Sequence, residues 1–172
     1  DVAVLKVRPR DADGFYNFGG TSLWHRAVVE SARTMIVEVT DALPHTHGDH
    51  CGVHESEVDF VIDGDNAPTA ELPELPPSDV DRAVGRLIAG EIEDRACIQV
   101  GIGGMPNAVC SALLQSGVKD LGIHSEMLTD GMVDLVKSGQ VTGARKALDP
   151  GKHTYSFALG TNRPYQDIDQ NP

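Results

Sequence analysis

The sequence predicts an α/β protein with an open, mostly parallel sheet flanked by helices. Three observations carry this. Apolar, β-branched runs of strand length alternate with stretches of helical period along the 172 residues. Two of the helical stretches stop at glycine, at Gly117 and at Gly139. The strand-like runs are separated by helices, so neighbouring strands should lie parallel.

The elements follow in order. "DVAVLKVRP" alternates like a strand and stops at Pro9, and "DADGF" supplies turn chemistry. "SLWHRAVVESA" places Leu23, Trp24, Ala27 and Val28 at helical spacing, with Thr21 or Ser22 as cap. "TMIVEVT" and "EVDFVIDGD" are strands, completing a βαβ unit. Residues 67–77, "APTAELPELPP", hold four prolines and no periodicity, which fits an extended linker or a Pro-rich surface loop. "SDVDRAVGRLIAGEI" is a helix capped by Ser78, with Val80, Val84, Leu87, Ile88 and Ile92 on one face. "ACIQVGI" is a short strand, and "PNAVCSALLQSG" a helix with Pro106 near its first turn. "KDLGIH" is a strand, "TDGMVDLVKSG" a helix and "TYSFALG" a last strand.

Composition narrows the function classes. A formal net charge of −12, with 14 basic residues scattered among 26 acids, argues against nucleic acid and anionic membrane surfaces. No apolar run approaches the roughly 20 residues that cross a bilayer. A small anionic ligand stays open, since backbone N–H groups act locally. Three cysteines, none in a CxxC spacing, point to a reducing, cytoplasmic setting. Cys97 and Cys110 lie in apolar patterns and are expected to be buried.

Two segments are candidate sites. "GIGGMP" (101–106) lacks the third glycine of a dinucleotide fingerprint and is no P-loop. Its glycines at a strand end either admit a ligand to the backbone or make a tight turn. One helix later, "LGIHSEM" should leave the sheet at His124, Ser125 and Glu126, on the same rim as the glycine loop. A carboxylate there serves as base, metal ligand or nucleophile, or simply occupies the first turn of a helix. "PHTHGDHCGVHESE" crowds His45, His47, Asp49, His50, Cys51 and His54 into ten positions. Its spacing fits neither HExxH nor a paired CxxC site, and it reads rather as a solvent-facing or hydrogen-bonded loop, so no metal is expected.

Taken together, "GFYNFGGTSLWHRAVVESARTMIVEVTDALPHTHGD", "QVGIGGMPNAV", "LGIHSEMLTDGMVDLVKSGQVTG" and "PGKHTYSFALGT" resemble, in order, the acetyl-CoA hydrolase/transferase family. The nearest likeness is to butyryl-CoA:acetate and 4-hydroxybutyrate CoA-transferases. The resemblance implies a CoA-transferase-like fold (the NagB/RpiA/CoA-transferase type) in two partial domains, as a fragment from the middle of a longer family chain. Residues 1–67 would end the N-terminal domain, 68–77 form the Pro-rich linker, and 78–172 begin the C-terminal domain. It also implies that Glu126 is the nucleophile, carrying CoA as a glutamyl thioester. Gly101, Ile102, Gly103, Gly104 and Met105 would contact CoA. Acyl-CoA and small carboxylates would be the substrates, with no permanently bound cofactor and a homo-oligomeric assembly. "TNRPYQDIDQNP" departs from the usual family pattern by placing Pro164 ahead of Tyr165. The competing expectation is a non-catalytic oligomeric binding or scaffold protein that keeps the transferase core. On the first reading, Gly103→Val is expected to abolish CoA binding without disturbing the fold.

Overall fold

The first strand forms where the alternation is cleanest, at Val2–Val7 (β1), and its alternate residues Ala3 and Val7 are buried. The structure, a computed structural model, describes all 172 residues. The chain divides into two units, residues 1–70 with 165–172, and residues 71–164.

In the first unit, β1 is followed by β2 (Phe15–Asn17), α1 (His25–Ser31), β3 (Thr34–Val39), β4 (Gly52–His54) and β5 (Phe60–Asp63). β3 lies between β1 and β5, parallel to both, with Val4, Ile36 and Phe60 in one rank. Because the side-chain period is two, one face carries Ala3, Val7, Met35 and Val37 into a core with Phe18, Val29 and Val53. The other face exposes Val2, Val4 and Phe60, and its polar end pairs Lys6 with Glu38 at 3.2 Å.

The antiparallel pair β2–β4 departs from the parallel expectation. Each strand has only three residues and lies in a segment whose local chemistry reads as turn or histidine loop. Only the contact between distant parts of the chain makes them strands. The cap of α1 also differs: its N-cap is Trp24 and no side chain caps it, while the Ser22 carbonyl accepts the His25 N–H.

The histidine loop is held by hydrogen bonds and ring contacts. Thr46 Oγ1 donates to the Gly19 carbonyl at 2.7 Å, and the Asn17 amide donates to the Thr46 carbonyl at 2.9 Å. His54 Nδ1 accepts from the Ser56 N–H, and its ring meets Phe15 edge-on. Burial pushes the His45 imidazole below its ordinary pKa, with the neighbouring His47 acting in the same direction. No group of three or more His, Cys, Asp or Glu side chains is placed to hold a metal ion. The chain end closes on this loop: His45 N–H donates to Asp169 Oδ1 at 2.7 Å, and Gln170 N–H to the His45 carbonyl at 3.0 Å.

The second unit runs α2 (Asp79–Gly90), β6 (Cys97–Ile98), α3 (Gly104–Ser116), β7 (Gly122–Leu128), α4 (Asp130–Lys137) and β8 (Thr154–Ala158). A last helix, α5 (Asn162–Ile168), begins in this unit and ends in the first. Its Pro164 falls in the first turn, where a missing N–H is tolerated. The sheet order is β6-β7-β8, all parallel.

Ser78 caps α2 as expected, accepting from the Asp81 N–H, and Asp81 returns a bond to the Ser78 N–H. The buried face of α2 is not the aliphatic stripe, however. Val80 and Leu87 are 71% and 73% exposed, whereas Gly85 and Ala89 are buried. The reason is backbone proximity. A Cβ on Gly85 would stand 2.7 Å from the Ala108 carbonyl, so α2 meets α3 through its smallest residues. Cys110 is buried and its thiol is pushed up to about 12 by desolvation. Cys97, expected inside, is exposed, because it lies on the uncovered face of the short edge strand β6. No helix is long and apolar enough to cross a membrane.

Candidate active site

β6 leaves the sheet after Ile98, which pairs with Ile123. The glycine loop and the start of α3 therefore follow at the carboxyl end of β6, beside the stretch of β7 that continues to Leu128. Gly101 to Met105 and Glu126 thus come to one rim of adjacent parallel strands, the place where open α/β sheets take ligands.

Glu126 differs from expectation in one respect. It lies within β7, not past its end, and the acid in the first turn of the next helix is Asp130. The strand continues because β8 pairs with it through Leu128. Within β7 the burial alternates: Ile123 and Ser125 are buried, while His124 and Glu126 are exposed on the opposite face. The Glu126 carboxylate has no hydrogen-bond or ion-pair partner within the chain.

The five glycine-loop residues play different local roles. Gly103 is the N-cap of α3 at φ 121°, a conformation that L side chains rarely adopt. No side chain caps α3, so its first N–H groups are open to an anion. Gly104 packs its α-carbon on the α2 cap, where a Cβ would lie 3.1 Å from Asp81 Oδ2. Ile102 and Met105 are exposed at 44% and 40%. Around Gly101 an added Cβ meets nothing within 4 Å.

This changes the test. Valine at Gly103 would strain the backbone by about 1–3 kcal/mol, so lost binding there would not report on ligand space alone. Gly101→Val is the clean probe. We expect it to keep the melting temperature within about 2 °C and to weaken CoA binding at least tenfold in a calorimetric titration. Equal CoA affinity would remove Gly101 from the site.

Two groups that sequence reasoning passed over support this rim. Asp130 is buried and accepts from Thr161 N (2.8 Å), Thr161 Oγ1 (2.6 Å) and Arg163 Nε (3.1 Å). Arg163 also reaches Asp134 and Glu74. A Cβ on Gly160 would collide with Asp130 Oδ2 at 2.2 Å, so only glycine fits where the turn after β8 crosses it. Burial pushes the Asp130 carboxyl up, but the Thr161 hydrogen bonds and the Arg163 guanidinium outweigh it and hold the group below the usual carboxylate range. The Thr129–Asp130 start of the α4 pattern was the sequence signal for this role.

The sign follows. A carboxyl whose pKa is lower folded than unfolded adds stability above its unfolded pKa and loses it as the pH falls through the folded one. We expect Asp130→Asn to destabilise the fold at pH 7 by about 1–3 kcal/mol, read as a lower melting temperature. The gap from the parent chain should close as the pH is taken down below about 4. A gap that stays constant in melts from pH 7 to pH 3 would contradict the assignment.

Lys146 is the second group. It is buried, and its Nζ donates to the Lys152 carbonyl at 2.9 Å and to Thr154 Oγ1 at 2.7 Å. Its stem lies over Gly122, on the same face of β7 as His124 and Glu126. A buried ammonium therefore sits at the base of the face that carries the carboxylate.

A parallel-stranded α/β unit with a glycine loop and an unpartnered carboxylate near the strand ends defines a candidate ligand site of the open-sheet kind. In comparison with known proteins, residues 1–73 match the acetyl-CoA hydrolase/transferase N-terminal domain. The whole chain is 46% identical to the butyryl-CoA:acetate CoA-transferase of Anaerostipes caccae, covering 39% of that protein. It is 38% identical to the 4-hydroxybutyrate coenzyme A transferase of Clostridium kluyveri, again covering 39% of it. The crystal structure of a 4-hydroxybutyrate CoA-transferase from Porphyromonas gingivalis superposes on all of the chain with a TM-score of 0.92 at 37% identity, over 43% of its own length. The chain spans about two fifths of the length of the curated relatives it matches.

Proposed function

We propose that this chain carries the nucleophile and one CoA-contacting loop of a CoA-transferase that exchanges CoA between an acyl-CoA and a small carboxylate. One observation carries the reading. An exposed carboxylate without a partner, Glu126, lies in β7 beyond the point where β6 ends and the glycine loop follows, in a chain that aligns along its whole length with CoA-transferases.

In the proposed reaction a Glu126 oxygen attacks the thioester carbonyl carbon, forming a C–O bond as the C–S bond breaks. This gives a mixed anhydride and CoA thiolate. The thiolate attacks the glutamyl carbonyl carbon, leaving a glutamyl-CoA thioester and releasing the first carboxylate. An incoming carboxylate reverses the sequence and departs as its CoA ester. The thioester energy is conserved throughout, so ping-pong kinetics follow without ATP. Gly101 to Met105 lie along CoA, the glycines allowing close approach and the α3 N–H groups facing its negative charge.

On this reading residues 78–172 begin a second transferase domain, joined to residues 1–67 through the linker at 68–77. Acetate, butyrate and 4-hydroxybutyrate define the substrate class, and a homo-oligomer in the cytoplasm is its setting. The apolar face left open on the β1-β3-β5 sheet supports the assembly, and three free cysteines support the reducing compartment.

The test is isotope exchange. Labelled acetate should enter acetyl-CoA in the presence of the chain alone, and without free CoA. Exchange that requires free CoA, or that fails altogether, would sink the covalent route for this chain.

A further inference from the structure

We infer that His124 is a second substrate-contacting residue, donating a ring N–H to the oxygen of the carbonyl that Glu126 attacks. The inference rests on the nucleophilic reading of Glu126 and adds to it a donor that the glycine loop does not supply.

The geometry is that of one strand. His124 and Glu126 are two residues apart in β7 and both exposed, while Ile123 and Ser125 between and before them are buried. Two residues along a parallel strand place their Cα atoms about 6.6 Å apart with side chains on the same face. An imidazole and a carboxylate so placed both reach a small group lying between them. The parallel register pairs His124 with Thr154 on the neighbouring strand β8.

The other polar groups at that end of the face are committed. Thr154 Oγ1 accepts from Lys146 Nζ and donates to Asp149 Oδ2 at 3.0 Å, and Lys146 Nζ is also held by the Lys152 carbonyl. The His124 ring has no such partner within the chain. A free donor beside a free acceptor, on an open polar face above a buried ammonium, is an arrangement that core packing does not require.

The chemistry needs such a donor. The attack by Glu126 passes through a tetrahedral carbon whose oxygen takes up the negative charge that the carboxylate gives away. A hydrogen bond that strengthens as this charge develops lowers the barrier, and losing one such donor slows the step about 10²–10³-fold. No proton changes hands: the N–H donates to the oxyanion and the bond weakens when the adduct collapses to anhydride or thioester.

The experiment uses acetyl-CoA as probe and follows the glutamyl-CoA adduct by intact mass after rapid quenching. Three substitutions are compared with the parent chain: His124→Ala, His124→Asn, which keeps an N–H donor, and His124→Phe, which keeps a ring without one. We expect Ala and Phe to slow adduct formation about 100-fold, and Asn to recover to within about tenfold of the parent. CoA affinity and melting temperature should stay unchanged in all three. Adduct formation at the parent rate in His124→Ala would overturn the assignment, as would a loss in Ala and Phe explained by weaker CoA binding or a lower melting temperature. A parent chain that forms no adduct would overturn the nucleophile reading, and the role of His124 with it. Adduct in the parent alongside an unaffected His124→Ala would overturn only the latter.

Discussion

Glu126→Gln should leave no glutamyl-CoA adduct by intact mass and cut acyl exchange by about 10⁴-fold or more, because the amide removes the attacking oxyanion while preserving shape. The substitution should not disturb the fold, since the Glu126 side chain is exposed and makes no hydrogen bond or ion pair in the chain. Its melting temperature should match the parent's. Glu126→Asp sharpens the result. Shortening the side chain by one methylene draws the carboxylate back by about 1 Å, a displacement that slows such reactions about 10²-fold. An adduct in Glu126→Gln at the parent rate would place the nucleophile elsewhere.

The second large effect concerns stability. Gly85→Val should destabilise the chain by about 3 kcal/mol, a fall in Tm of roughly 6–12 °C. A Cβ there would lie 2.7 Å from both C and O of Ala108 and 3.0 Å from Val109 N. Backbone cannot give way as a flexible side chain can, so α2 would have to lift from α3, and with it the packing of Ala108, Val109 and Leu113. Gly90→Ala is the control. It lies in the last turn of the same helix with nothing within 4 Å of an added Cβ, and should be neutral or stabilising by up to about 1 kcal/mol. Equal melting temperatures for Gly85→Val and the parent would show that the helix contact is not rigid.

Much of the local structure around the candidate site was legible because its signals are local. Glycine at 101, 103 and 104 followed by a helical pattern marks a strand-to-helix turn, and that turn is where α3 begins. "GIHSEM" could be placed on the same rim by counting one helix between two strands. What escaped was anything set by partners distant in sequence. His124 looks like one more residue at a strand end until the strand is seen to run through Leu128, which puts it on the Glu126 face. Asp130 looks like an ordinary helix-start acid until Thr161 and Arg163 arrive from thirty-odd residues away. Lys146 gives no sequence signal at all, since its stem crosses Gly122 only in the folded chain.

The fold divides along the same line. Periodicity sufficed for the strands of the β1-β3-β5 sheet and for α2, α3 and α4, whose patterns depend on nearest neighbours along the chain. It failed for β2 and β4, three residues each, which become strands by pairing with one another across more than thirty positions. It also misjudged α2, where the aliphatic stripe suggested the buried face and the packing chose Gly85 and Ala89 instead. Sequence by itself determined which segments become helix or strand and where the reactive residue types sit, because those follow from local propensity and period. Only the tertiary structure decided which faces are covered and which polar groups remain unpartnered, because burial and hydrogen-bond satisfaction belong to pairs of segments and not to either one.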